Sequence, residues 1–232
     1  MAALPDDARI LAIDSSTHLC ELCLYTRGQV LAEEAWRSAA NQTVEAMPAI
    51  ARMVARCGLS ARDIGGVVVG LGPGSFTGLR VGLSIAKGLA VALSVPVAGI
   101  VTLDAVAYAY ADRGLPVVAA ISAGRGRFCA ARYAHKEGAW RRVSEFQVVP
   151  MDGFALDPAG RTLFCGDLSA EAAESLRKRF ADQAVVPTPA AIFRRPAYLA
   201  ELGWARLASG SADDVTSLAP IYLHHTRGER AT

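Results

Sequence analysis

The sequence predicts an α/β fold built from two related halves, and three observations predict it. Short apolar runs and helical periods alternate in the order βββαβα over the first hundred residues. A second set of strand-like runs then restarts the pattern. With 232 residues, 52% of them hydrophobic, the chain can bury a sizeable core.

The elements read in order. "RILAID" has the unbroken apolar character of a buried strand, "CELCLYT" gives a second, and "QVLAEEAW" a third, with "TRGQ" as the turn between the last two. From Asn41 the period changes. Val44, Met47, Ile50, Val54 and Cys57 fall three or four apart, as on one helix face that stops at Gly58. A strand "GVVVGL", a glycine loop, a helix from Thr77 to Leu93 and a strand "PVAGIV" complete the first half. The second half begins with "PVVAAIS", "RFCAARY" and "WRRVSEFQVV", each taken as one strand, and "LAID" at 11–14 parallels "AAIS" at 119–122. The boundary falls near Asp104, giving subdomains 1–104 and 105–232, with the last segment expected to pack back on the first. "TPAAIFRRPAYL" reads as a connection, "AYLAELGWARLASG" as a helix ended by Gly210, and "HHTRGERAT" as a polar tail.

Composition excludes several classes. Lys and Arg number 24 against 22 Asp and Glu, so no strong overall field draws the chain to nucleic acid or an anionic membrane. Five scattered cysteines suit a reducing cytosol better than a disulfide framework. The first residues, "MAALPDDAR", lack the basic and apolar regions of a signal peptide. The longest uncharged run, about 16 residues ending at Leu103, is broken by Pro96 and is shorter than the roughly 20 that span a bilayer. The expectation is a soluble cytoplasmic protein with no membrane partner.

Two stretches carry candidate chemistry. "IDSST" places Asp14, Ser15, Ser16 and Thr17 at the end of a buried strand; such a turn holds a metal and phosphate oxygens, or simply satisfies its own backbone. "GLGPGSFTGLRVG", residues 70–82, fails both the Walker and dinucleotide templates: no lysine follows a glycine, and Ser75 and Thr77 stand three residues after Gly72 and Gly74. It nevertheless brings Ser75 or Thr77 to a helix N-terminus, where an anion is favoured, or where a hydroxyl caps the helix. Along that helix Gly78, Gly82, Ala86 and Ala90 recur every fourth residue as a ridge for close packing, beside an apolar face of Val81, Ile85, Leu89 and Leu93. Metal constellations are poor. None of His18, His135, His224 and His225 has the i, i+4 partner of a helical site, and "CELC" on a strand points its sulfurs to opposite sides. The arginine pairs 125 and 127, 141 and 142, and 194 and 195 read as phosphate contacts or, more commonly, as solvated surface.

"LAIDSST", "GLGPGSFTGLRVG" and "IAKGLA" together resemble the TsaB (YeaZ) family of bacterial tRNA threonylcarbamoyladenosine biosynthesis proteins, closely over residues 9–105 and again near the end in "APIYL". The resemblance implies an actin-like ATPase fold, of the ribonuclease H-like kind, with two βββαβα-type subdomains. It implies a non-catalytic subunit that binds and activates a TsaD-type transferase, joined by a TsaE-type ATPase, reaching tRNA through the complex and forming a homodimer when alone. No cofactor would bind tightly to this chain, although ATP or ADP with Mg can sit in the complex. The nucleotide cleft would be vestigial, its remnants being Asp14, Ser15, Ser16, Gly72, Gly74, Ser75 and Thr77. The partner would meet the first two helices through Met47, Ile50, Val54, Gly78, Val81, Gly82, Ile85 and Ala86. "ANQTVEAM" lacks the HxxxH metal motif of the transferase. Two positions depart from the family pattern: Gln42 replaces a histidine six residues before Pro48, and Ser122 to Gly124, "SAG", replaces "DAR". The competing expectation is a kinase or glycoprotease-like enzyme of the same fold.

Overall fold

The computed structural model describes residues 4–39, 41–157 and 160–222. The tail from Leu223, with His224 and His225, lies outside the described residues. Strands β1 (Arg9–Asp14), β2 (Leu19–Thr26) and β3 (Gln29–Arg37) form an antiparallel meander. Helix α1 (Gln42–Arg56) then crosses to β4 (Ile64–Gly70), and α2 (Phe76–Leu93) crosses to β5 (Val97–Ile100). These crossovers make β4 and β5 parallel to β1, in the order β3-β2-β1-β4-β5.

The second half repeats the plan. After α3 (Thr102–Tyr108) come β6 (Val117–Gly124), β7 (Arg127–Lys136), β8 (Ala139–Arg142), β9 (Gln147–Pro150), β10 (Thr162–Gly166), α4 (Ala170–Phe180) and β11 (Ala184–Val185). The sheet order β11-β10-β6-β7-β8 matches the first sheet strand for strand, with antiparallel β6–β7–β8 and parallel β6–β10–β11. The expected single strand "WRRVSEFQVV" is two strands, both on β7: β8 pairs with Tyr133 to Lys136 and β9 with Arg127 to Ala130. Between them the Ser144 hydroxyl accepts the Arg132 N–H at 2.9 Å, replacing a ladder bond and breaking the strand. Helices α5 (Pro189–Ile192) and α6 (Pro196–Ala208) close the chain, and α6 packs on β1, β2, β4 and β5 of the first sheet.

Both sheets are covered on both faces, which explains their unbroken apolar runs. On β1, Leu11 and Ile13 join the core under α1 and α2, while Ile10 and Ala12 join the core under α6. On β6, Val117, Ala119 and Ile121 face α3, while Val118 and Ala120 face the α4 side. The helix α1 corrects one expectation. Its buried face is Gln42, Ala46, Ala49, Ile50, Met53 and Val54, while Val44 and Met47 stand in solvent. A 3.6-residue period lets the apolar residues of α1 serve two faces, and the sheet takes the alanine-rich one because it admits a closer approach. Among the described residues α2 alone has the length and apolarity to cross a bilayer, and its buried residues lie against the first sheet.

Candidate functional site

The turn after β1 and the glycine loop after β4 are packed against each other. Ser16 O accepts the Ser75 N–H at 2.5 Å, and the Ser15 hydroxyl donates to Gly78 O at 2.7 Å. Contact this close needs glycine: a β-carbon at Gly74 would overlap Ser16 O, and one at Gly78 would overlap Ser15 O. Gln42 adds a third tie from α1, its Nε2 donating to Thr17 O at 2.9 Å. The Ser75 side chain caps α2 by accepting the Gly78 N–H at 3.3 Å.

This arrangement corrects the expected cleft. Gly72 is buried, Gly74 is half-buried, and Ser75 and Thr77 are exposed. Thr77 opens into a groove between α1 and α2 instead of the cavity that holds Asp14. Ser15 and Ser16 are buried beneath the loop. At the helix N-terminus the Ser75 and Gly78 N–H groups are thus taken up by Ser16 O and by the Ser75 hydroxyl. The small-residue ridge is likewise turned inward. Gly78, Gly82 and Ala86 face β1, β4 and the Ser15 turn, while Ile50 and Val54 lie in the same core. Five of the eight expected partner contacts are thus consumed by the chain's own sheet.

What remains outside is an apolar strip across α1 and α2. Val44 is 68% exposed, Met47 43% and Phe76 54%. Val81 and Ile85, both half-buried, line the 380 Å³ groove with Thr43, Phe76 and Arg80. The Arg80 guanidinium lies over the Phe76 ring, 3.8 Å from its centre, and its Nε donates to Tyr222 Oη at 3.0 Å. Val44, Met47 and Phe76 are thus apolar side chains left exposed on two neighbouring helices.

A second site surrounds Asp14, at the junction of the two halves. A cavity of 490 Å³ is lined by Asp14 and Glu21 from the first sheet, α3, Gly166 from β10, and the segment around Arg194. Arg194 Nη2 reaches Asp14 Oδ2 at 2.6 Å and Glu21 Oε2 at 2.5 Å. The other Asp14 oxygen accepts the Ser16 N–H at 2.7 Å. Burial raises the Glu21 carboxyl to about 8, against the pull of Arg194 and with the push of Asp14 and Asp167. Arg194 hydrogen-bonds Asp14, while burial favours the protonated form of Glu21. Sequence reasoning missed both Glu21 and Arg194. The arginine belongs to a pair read as surface, and the signal that could have found it is its position, one residue ahead of the Arg195-Pro196 helix start and beside an apolar run.

Other candidates resolve simply. Cys20 and Cys23 are buried, and burial first of all pushes each thiol up to about 12, so neither behaves as a thiolate. Among the described residues no cluster of His, Cys, Asp and Glu is arranged to hold a metal ion. Ser122, Ala123 and Gly124 are exposed at the β6–β7 hairpin.

Two sheets of the same strand order, helix-covered and joined at a cleft, define an α/β protein of the actin-like ATPase fold. The family model of TsaD, tRNA N6-adenosine threonylcarbamoyltransferase, matches residues 30–224. The tRNA threonylcarbamoyladenosine biosynthesis protein TsaB of Bacillus subtilis is 30% identical over 95% of this chain and 96% of its own length. That of Escherichia coli is 38% identical over 57% of this chain and 58% of its own. The chain belongs to the TsaB family of tRNA threonylcarbamoyladenosine biosynthesis proteins, within the broader TsaD group. The solved structure of YeaZ from Pseudomonas aeruginosa shares the fold, with a TM-score of 0.76 and 24% identity over 93% of this chain and all of that one.

Proposed function

We propose that the chain is a non-catalytic subunit that binds a TsaD-type transferase and activates it in threonylcarbamoylation of the tRNA adenosine next to the anticodon. The observation that carries this reading is the exposed apolar strip of Val44, Met47 and Phe76 on α1 and α2. Two helices offering such a strip form half of an intermolecular helix bundle, the contact a related two-helix face on the transferase would complete. When the transferase is absent, a second copy of this chain covers the strip as a homodimer.

A TsaE-type ATPase and tRNA join through the complex, in the cytoplasm. ATP or ADP with Mg belongs to the complex and not to tight binding by this chain alone. The ion-paired state of Asp14 supports that division, because Arg194 already holds the oxygen a magnesium ion would take. The reading is tested by reconstitution: tRNA modification by the transferase is measured with and without this chain. The chain raises modification, Met47→Glu and Phe76→Glu abolish the increase, and an unchanged rate on adding the wild-type chain would sink the reading.

A further inference from the structure

On the reading that α1 and α2 meet the transferase, we infer that Arg80 is the polar anchor of that face, and that the partner segment filling the groove carries a carboxylate gripped by its two Nη nitrogens. Arg80 stands near the start of α2, on the wall of the 380 Å³ groove it shares with Thr43, Phe76, Val81 and Ile85. It is exposed, and yet it is held. Its guanidinium carbon lies 3.8 Å from the centre of the Phe76 ring, and its Nε donates to Tyr222 Oη at 3.0 Å. Tyr222 is itself anchored, its ring centre 5.1 Å from that of Phe76 and the preceding Ile221 N–H donating to Leu71 O at 2.8 Å. With the Nε side taken, the edge left over is the Nη pair, the fork that matches a carboxylate. Among the described residues no carboxylate pairs with it.

The charges around the strip favour an acidic partner over a second copy of this chain. Helix α2 has no Asp or Glu in its 18 residues. The one acid of α1, Glu45, already accepts the Trp36 Nε1–H at 2.9 Å, and it shares a hollow beside Val44 with Glu34 and Arg52. Acids beside the strip therefore have a cation of their own, and Arg80 has no anion. A second copy would close over Arg80 with two helices that bring no free carboxylate, and a guanidinium shut unpaired into an apolar contact is costly. A partner helix with an Asp or Glu aimed into the groove removes that cost, and it meets a fork already ordered by Phe76 and Tyr222, so little side-chain freedom is lost on pairing. Arg80 thus supplies specificity where the apolar strip supplies area.

The test compares two associations of the same variants. Arg80→Met keeps an unbranched stem over Phe76 and removes the charge. Calorimetric titration with a purified TsaD-type transferase then gives a Kd raised roughly ten- to a hundredfold, the loss expected for a hydrogen-bonded charge pair. Sedimentation equilibrium shows a homodimer as tight as wild type or tighter. Arg80→Lys, which keeps the charge without the fork, falls between the two in transferase binding, and Tyr222→Phe, which releases Nε, weakens it less than Arg80→Met. Raising salt from about 0.01 M to about 1 M, which shortens the screening length from about 30 to about 3 Å, weakens the wild-type complex more than that of Arg80→Met. A wild-type Kd in Arg80→Met overturns the inference, as does an equal loss in the homodimer, which would make Arg80 a general packing element. Wild-type affinity in Arg80→Lys overturns the two-nitrogen grip. If the wild-type chain does not bind the transferase, the proposed function falls and the anchor with it; binding that is indifferent to Arg80 removes the anchor alone.

Discussion

The two halves share a strand plan and differ in what they build on it. The first half carries α1 and α2 on one face of its sheet, and the end of its first strand, Asp14, is buried and ion-paired. In the second half the equivalent strand end, Ser122, is exposed. Among the described residues no helix corresponds to α1, and β9 lies between β8 and β10 in chain order. The crossover helices differ as well. Against α2, with Gly78, Leu79, Gly82, Leu83, Ala86 and Ala90 buried, α4 buries only Ala172 and Leu176. One topology thus supports a close-packed helix layer that presents an apolar face, and a looser one that is largely solvated.

The largest break in this comparison is a bulky side chain under α2. Gly82→Leu drives a branched side chain into Ser15, at the point where the helix rests on the β1 turn. Overpacking of this kind costs about 1–3 kcal/mol and more where backbone cannot retreat. A protein with total stability of about 5–15 kcal/mol then loses much of its margin. Urea denaturation should show a midpoint far below wild type, whereas Ser175→Leu on the exposed side of α4 leaves the midpoint nearly unchanged.

How much of this was legible in the sequence follows from which signals are local. The order βββαβα and its restart were readable because burial on both faces leaves apolar runs that only strands of this length produce. The glycine ridge was readable as a close contact, but periodicity does not say whether the contacted surface is the chain's own sheet or another molecule. Ile50, Val54, Gly78, Gly82 and Ala86 went to the sheet; Met47 stayed outside. The break in "WRRVSEFQVV" was hidden because it depends on a bond between Ser144 and Arg132, on a neighbouring strand. Arg194 was hidden for a similar reason. Its partners lie more than 170 residues away in sequence, and nothing near it forecasts a carboxylate.

The two strand ends offer the next contrast. Asp14→Ala leaves the buried Arg194 with only Glu21, and breaking one side of a buried ion pair costs about 3–5 kcal/mol. The same substitution at the matching place, Ser122→Ala, removes an exposed hydroxyl and stays within about 0.5 kcal/mol. Thermal and urea unfolding of the pair measure the difference. Equal effects would mean that the burial of Asp14 gives the first half no special dependence on it.

Glu21 sharpens the same contrast through pH. Its counterpart on the second sheet, opposite Ser122, is Phe128, which does not titrate. The folded Glu21 holds its proton up to about 8 against an ordinary value of 4.5. A raised carboxyl contributes stability that is complete below 4.5 and is lost as pH rises toward about 8, because the unfolded chain releases the proton first. The limiting slope for one such group is about 1.4 kcal/mol per pH unit, reduced by its coupling to Arg194. Glu21→Gln removes the proton and hence the slope. Unfolding free energies should lie close together at acid pH, where glutamine mimics the protonated acid, and diverge as pH rises toward about 8, with wild type the more pH-sensitive of the two. Parallel curves would assign the charge balance of the cleft to another group.

The smallest effect separates the two sides of α2 itself. A β-carbon at Gly88 would meet nothing within 4 Å, in contrast to Gly78 and Gly82 on the packed side. Glycine in a helix interior is less favourable than alanine by about 0.8–1.0 kcal/mol. Gly88→Ala therefore stabilises the isolated chain by roughly that amount. Because the position lies outside the sheet contact, the gain comes from helix propensity and from the unfolded state, without repacking. Transferase binding decides what the glycine is for. If Gly88→Ala stabilises the chain yet weakens the complex, the open space is filled by the partner and the docking face continues along α2 past Ile85. Unchanged binding would end that face at the groove formed by Phe76, Val81 and Ile85.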